Sequence, residues 1–157
     1  MTYATRKIAL ASGVMPDFTP EQTVEAAAKG GWDAVGVWVE PGEWTDATTR
    51  RMKQSLSDFA IPAVDVEVLW IKPGASNPDH FRILDIGAEL GAPNALVVSS
   101  DPDMGATTAK YAELCEHGRK LGMRVSLEFG MFTNVQTIDQ ALAVIKAFVA
   151  YVSRSGF

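Results

Sequence analysis

The chain has 157 residues, of which 47% are hydrophobic and 21% charged, enough for one soluble domain with a sizeable core. Its formal net charge is -5 and it holds no basic run, which excludes nucleic acid and anionic membrane as main partners, since both are held by clustered Lys and Arg. The single cysteine, Cys115, excludes an internal disulfide, and no Cys/His spacing suits zinc. The apolar run that ends at Gly13 is far short of a membrane span and no cleavage pattern follows it, so the expected location is cytoplasmic.

In chain order, apolar runs alternate with amphipathic segments at intervals of roughly 30 residues, the length of a βα unit. The pattern predicts a strand over Ile8–Ser12, then a helix over Pro20–Lys29, opened by Thr19-Pro20-Glu21-Gln22 as a capping box with proline in the first turn. A second strand over Ala34–Val39 follows the turn Lys29-Gly30-Gly31-Trp32. The second helix, Asp46–Phe59, places Met52, Leu56 and Phe59 on one face. A third strand, Ala63–Leu69, leads to a helix over Pro78–Leu90 capped by Asn77. A fourth strand, Ala95–Ser99, precedes the helix Asp103–Leu121, which carries Cys115 on an apolar face as a core residue. The fifth strand spans Arg124–Phe129. The last helix runs from Ile138 to Val149 or a little beyond, with Ile138, Leu142, Ile145 and Val149 as its apolar face. Residues 147–157 read as a divergent or truncated tail of a single domain that spans 1–157.

Strict β-α alternation implies a parallel sheet. Five units fit a flavodoxin-like doubly wound sheet, or the first part of a TIM-type (β/α) barrel, whose eight units need about 250 residues. Strand parity favours the incomplete barrel. Val64, Val66 and Val68 oppose Asp65, Glu67 and Leu69; Val125, Leu127 and Phe129 oppose Arg124, Ser126 and Glu128. One face is aliphatic, for helices outside, and the other is mixed and charged, for a functional interior; a doubly wound sheet needs both faces apolar. No GxGxxG or Walker loop supports a nucleotide.

Glu128, at the C-terminal end of the fifth strand, is the leading site residue, because a carboxylate there is costly unless it meets a cation or a donor, and barrel sites are built at that end. Its alternative is a carboxylate held by Arg124. Glu67 shares the inward face with Asp65 and is assigned to substrate hydroxyls or support of the site. Trp38 and Trp70, at strand ends, are assigned as aromatic walls for sugar C–H faces; Trp32 and Trp44 read as packing. Asn134 and the turn Ser99-Ser100-Asp101 lie where substrate contacts would be. His80 and His117 fall in helices, outside a barrel, and are set aside.

Ala11-Ser12-Gly13, Gly30-Gly31-Trp32-Asp33-Ala34-Val35-Gly36, Asp65-Val66-Glu67 and Arg124-Val125-Ser126-Leu127-Glu128-Phe129 occur in an order and spacing that resembles the sugar phosphate isomerase/epimerase family with the xylose-isomerase-like barrel. The resemblance covers about Ile8 to Lys146. It implies metal-assisted proton transfer next to the carbonyl of a sugar or sugar phosphate, with Glu128 as the first ligand of a divalent metal (Mn, Mg, Co or Zn) and as a catalytic residue. The other ligands, an aspartate, a histidine and a second glutamate, come in that family from the last three strands, so an inactive chain is the expectation for these five units alone. A non-catalytic module that associates through exposed strand edges is the alternative.

Overall fold

A computed structural model describes residues 6–155. Five parallel strands, β1 (Ala9–Leu10), β2 (Ala34–Trp38), β3 (Ala63–Ile71), β4 (Asn94–Ser99) and β5 (Arg124–Leu127), lie in the order of the sequence. They alternate with α1 (Pro20–Lys29), α2 (Asp46–Asp58), α3 (Pro78–Glu89), α4 (Met104–Lys120) and α5 (Ile138–Ser155). A doubly wound sheet reverses its winding at a switch point. This sheet never reverses, which excludes the flavodoxin-like alternative and leaves five consecutive units of a (β/α) barrel.

The helix starts form as their sequences dictate. Thr19 with Gln22 and Thr45 with Thr48 make reciprocal capping boxes, and Asn77 and Asp103 cap α3 and α4 with their side chains. Gly31, Gly91 and Gly122 adopt φ of 76°, 77° and 72° just past three helix ends, where a side chain would be strained. One core joins the aliphatic strand face (Val35, Val37, Val66, Val97) to Val24 of α1, Met52 of α2, Leu84 of α3, Leu114 of α4 and Val144 of α5. Gly87 and Gly118 let α3 and α4 approach the sheet, since a Cβ there would lie 2.6 Å from Val66 and 2.7 Å from Val125.

Several expected boundaries move. β1 shrinks to two residues because the chain turns at once into a 3-10 turn, Ser12–Val14. β3 runs on to Ile71, but its pairing register shifts on both sides, opposite Val35/Gly36 and between Val66 and Leu69. Strict alternation therefore fails: Ala63, Val66, Leu69 and Ile71 are buried, while Val64 and Val68 are only half-buried. Leu69 thus joins the helix-side core and not the face of Glu67. On α5 the packed residues are Ala141, Val144, Ile145 and Phe148, whereas Ile138, Leu142 and Val149 are exposed. The helix is apolar on two sides, and only one meets α4. Phe59 likewise ends α2 at the surface. Residues 147–155 continue α5. Among the described residues no helix is long and apolar enough to cross a membrane.

Candidate active site at the carbonyl ends of the strands

Asp65 and Glu67 face Gly36 on one side of the sheet, and Asp65 feels the charge of Glu128. Gly36 is the residue that makes room for the first two: a Cβ there would sit 2.7 Å from Asp65 Oδ1, 3.5 Å from Glu67 Oε1 and 3.1 Å from the Ser12 amide nitrogen. A glycine inside a strand marks such a close approach. The Ser12 hydroxyl, presented by the turn after β1, donates to Glu67 Oε1 in a very short contact. Asp65 Oδ1 is buried and has no hydrogen-bond partner. Burial first, then the charge of Glu67, then that of Glu128, pushes the Asp65 carboxyl up from 3.8 to about 6. Glu128 stands just past β5, its N–H bonded to the Val97 carbonyl at 2.8 Å and its residue exposed to the concave side. Arg124 does not hold it: that guanidinium lies at the other end of β5 and donates to Asn94 Oδ1 at 3.0 Å.

Two cavities open at the same end. The larger, about 690 Å³, lies over β1 and β2 and reaches Ser12, Gly36, Trp38 and Arg51. The smaller, about 300 Å³, lies between Trp38, Trp70, His80 and Lys110. Trp38 lines both and is 43% exposed, so its indole forms the ridge between them. Trp70 borders the smaller one. Its Nε1 donates to Ser100 Oγ at 2.9 Å, its ring meets Phe132 edge-on at 6.1 Å, and Lys72 Nζ stands 5.6 Å from it. Asn134 is in the β5–α5 loop at this end; its N–H donates to the Ser99 carbonyl at 2.8 Å and its side chain is exposed. Trp44 is buried packing, with Nε1 on Thr49 Oγ1 at 2.8 Å.

Around Glu67 the structure brings Asp65, Ser12 and Gly36, which are not singled out as site residues by the sequence. The strand glycine is the available signal. His80 also departs from expectation. It sits in the first turn of α3, which begins at the carbonyl end of β3, so the helix that carries it is outside while its side chain is buried against the smaller cavity. Burial lowers its pKa. His117 is on the outer surface, 2.7 Å from Asp85 Oδ1.

Oxygen donors of this kind suit a hard divalent cation. Among the described residues, however, no three His, Cys, Asp or Glu side chains are arranged to hold one. The carboxylates suit such an ion in chemistry but, among the described residues, are not grouped to hold it.

No family model matches the sequence, and no curated protein matches it. The fold does match solved structures. A xylose isomerase-like TIM barrel/4-hydroxyphenylpyruvate dioxygenase fusion protein is 20% identical with a TM-score of 0.75, covering 92% of this chain and 25% of that one. The IOLI protein, solved with a bound zinc atom, is 13% identical with a TM-score of 0.76 over 91% of this chain and 59% of its own. A xylose isomerase-like TIM barrel protein from Mycobacterium smegmatis, in complex with magnesium, is 17% identical with a TM-score of 0.68 over 94% and 63%. The chain thus spans between about a quarter and two thirds of the structures it resembles.

Proposed function

We infer, from a chain that carries the xylose isomerase-like barrel fold, that these five units supply one side of a sugar isomerase/epimerase-like site that moves a proton next to a sugar carbonyl. The observation that carries this reading is the pair Asp65 and Glu67 in the first half of β3, facing Gly36 of β2 and feeling the charge of Glu128 past β5, beside an exposed tryptophan. A divalent metal bound there would stabilise the enediolate oxygens. Glu128 is the residue of this chain that would help to hold it, with the remaining donors coming from further units. The chain's own residues do the rest. Ser12 fixes the rotamer of Glu67. Glu67 accepts from substrate hydroxyls, Trp38 and Trp70 flank the carbon chain, and Asn134 reaches the rim. A carboxyl group raised to about 6, as Asp65 is, is poised to hold or release a proton near neutral pH.

The test reads proton transfer directly. The 157-residue chain, and the same chain supplemented with the last three units of a barrel of this fold, are incubated with aldoses and ketoses in D₂O with Mn²⁺. Deuterium is expected next to the carbonyl only in the supplemented protein, and Glu128→Ala is expected to abolish it, a loss of at least about 100-fold. Robust exchange by the 157 residues alone, or exchange that survives Glu128→Ala, contradicts the assignment.

A second reading, a binding module that folds by self-association, is supported by a separate observation. Phe132, Met131 and Phe129, with Leu142 and Ile138 of α5, are exposed beside β5, which pairs on one side only among the described residues.

A further inference from the structure

The concave end of a β/α fold is where helix N-termini point, and free amides there are ready-made anion sites. In this chain a side chain already caps at least one of those amides at each helix start. At α1, Thr19 Oγ1 accepts from the Gln22 amide, Gln22 returns a bond to the Thr19 amide, and Pro20 has no N–H. At α2, Thr45 and Thr48 do the same for each other. Asn77 takes the Asp79 amide at α3, where Pro78 again offers none. Asp103 takes the Gly105 and Ala106 amides at α4, and Gln140 and Thr137 close α5.

The basic side chains at this end are engaged too. Arg51, the basic residue that lines the larger cavity, donates from Nε to Glu21 at 2.9 Å. Lys110 is bonded to Asp101 at 2.8 Å and to the Lys72 carbonyl at 2.6 Å. Arg82 donates to the carbonyls of Pro41 and Trp44. Lys72 lies over Trp70 in a cavity that also holds Asp79 and Glu113. The walls of the larger cavity carry Asp17, Glu40 and Glu43 besides Glu21.

We propose that the larger cavity takes an uncharged polyol, a run of hydroxyl-bearing carbons without phosphate or carboxylate, with its C–H face on Trp38 and its hydroxyls donating to Glu40 and Glu43. The inference rests on the sugar reading of the same site and narrows it: of a sugar and a sugar phosphate, this side of the mouth admits the former. A phosphate entering there meets four carboxylate side chains and a capped helix start, and the basic side chain on that wall, Arg51, is already paired with Glu21. Aromatic faces and carboxylates, by contrast, complement the two surfaces of a neutral sugar.

The experiment is a titration of the 157-residue chain with xylitol and with xylitol 5-phosphate, followed by ¹⁵N–¹H signals. The Trp38 indole signal is identified by its loss in Trp38→Phe. Xylitol is expected to move that signal, with the phosphate ester bound at least about tenfold more weakly because like charges oppose it. Trp38→Ala is expected to weaken xylitol binding and Trp38→Phe to retain part of it. Glu43→Lys, an exposed change that leaves the core untouched, is expected to narrow the discrimination against the phosphate. Equal or tighter binding of the phosphate ester, no movement of the Trp38 signal with either compound, or unchanged discrimination in Glu43→Lys overturns the proposal. The two readings fail separately: xylitol binding without proton transfer in the supplemented barrel removes the isomerase reading alone, and proton transfer confined to phosphorylated sugars removes this one alone.

Discussion

Asp65 is the residue where site chemistry and stability oppose each other. Its folded-state pKa, about 6, lies above the ordinary 3.8. Between those values the native chain holds a proton that the unfolded chain has lost. Stability therefore falls as pH rises through that window and stays low above it, by on the order of 1–2 kcal/mol once solvent screening of a half-buried group is allowed for. Asp65→Asn keeps the shape and removes the charge, and its new N–H₂ can donate to Glu67. Thermal melts are expected to show the variant more stable than the parent by roughly 1–2 kcal/mol near pH 7.5 and indistinguishable from it near pH 4. An equal effect at both pH values assigns the gain to packing instead. The sequence makes the inward face of β3 legible through Asp65 and Glu67. It does not show that Gly36, one strand away, clears the space in which they sit, or that Ser12 binds one of them. Both are contacts between units, and such contacts depend on register, which a strand's own residues do not state.

Among the elements, β4 and α4 are joined by a short loop that holds an ion pair besides its hydrogen bonds. Buried Asp101 and half-buried Lys110 lie 2.8 Å apart, and the Lys110 bond, followed by the Asp103 amide, holds the Asp101 carboxyl below its usual range. The depressed value means that the pair's contribution is present above the unfolded pKa of 3.8 and is lost as pH falls through the folded one. Lys110→Met leaves Asp101 buried without its partner. We expect its melting temperature to be several degrees below the parent's at neutral pH, with the gap closing as the solution is acidified. A gap that is constant with pH would mean that the lysine stem, not its charge, is what matters. At this scale the sequence is most legible where caps and glycines mark helix ends, and less so where a face has to be assigned. β3 breaks its two-residue period at the two register shifts, which brings Leu69 to the core. α5 is apolar on two sides, so its period alone does not say which side meets α4.

For the molecule as a whole, the strand order decides the architecture and also leaves it open. Parity favours a barrel over a doubly wound sheet, and the unreversed order β1 to β5 bears that out. Among the described residues the sheet does not close, so β1 and β5 each pair on one side only. The apolar surface follows this opening. Ile138, Leu142 and Val149 are 57%, 44% and 55% exposed along α5, and Met131 and Phe132 are 91% and 66% exposed in the loop beside it. In an eight-unit barrel the sixth unit would lie against that side. For five units alone a second copy is the available cover, although the acidic concave face of each copy opposes stacking mouth to mouth. Sedimentation of the purified chain is therefore expected to show a concentration-dependent dimer through the β5–α5 side. Leu142→Lys removes roughly 1 kcal/mol of apolar burial per copy, since only about half of the side chain is left to bury, and in a symmetric pair it acts twice, so the dimer should weaken by about tenfold or more. Because Leu142 is already half in water, the melting temperature of the dilute variant should stay near the parent's. A chain that remains monomeric at high concentration, or a Leu142→Lys variant that dimerises as tightly as the parent, would place the association elsewhere and leave the open side of α5 as plain solvated surface.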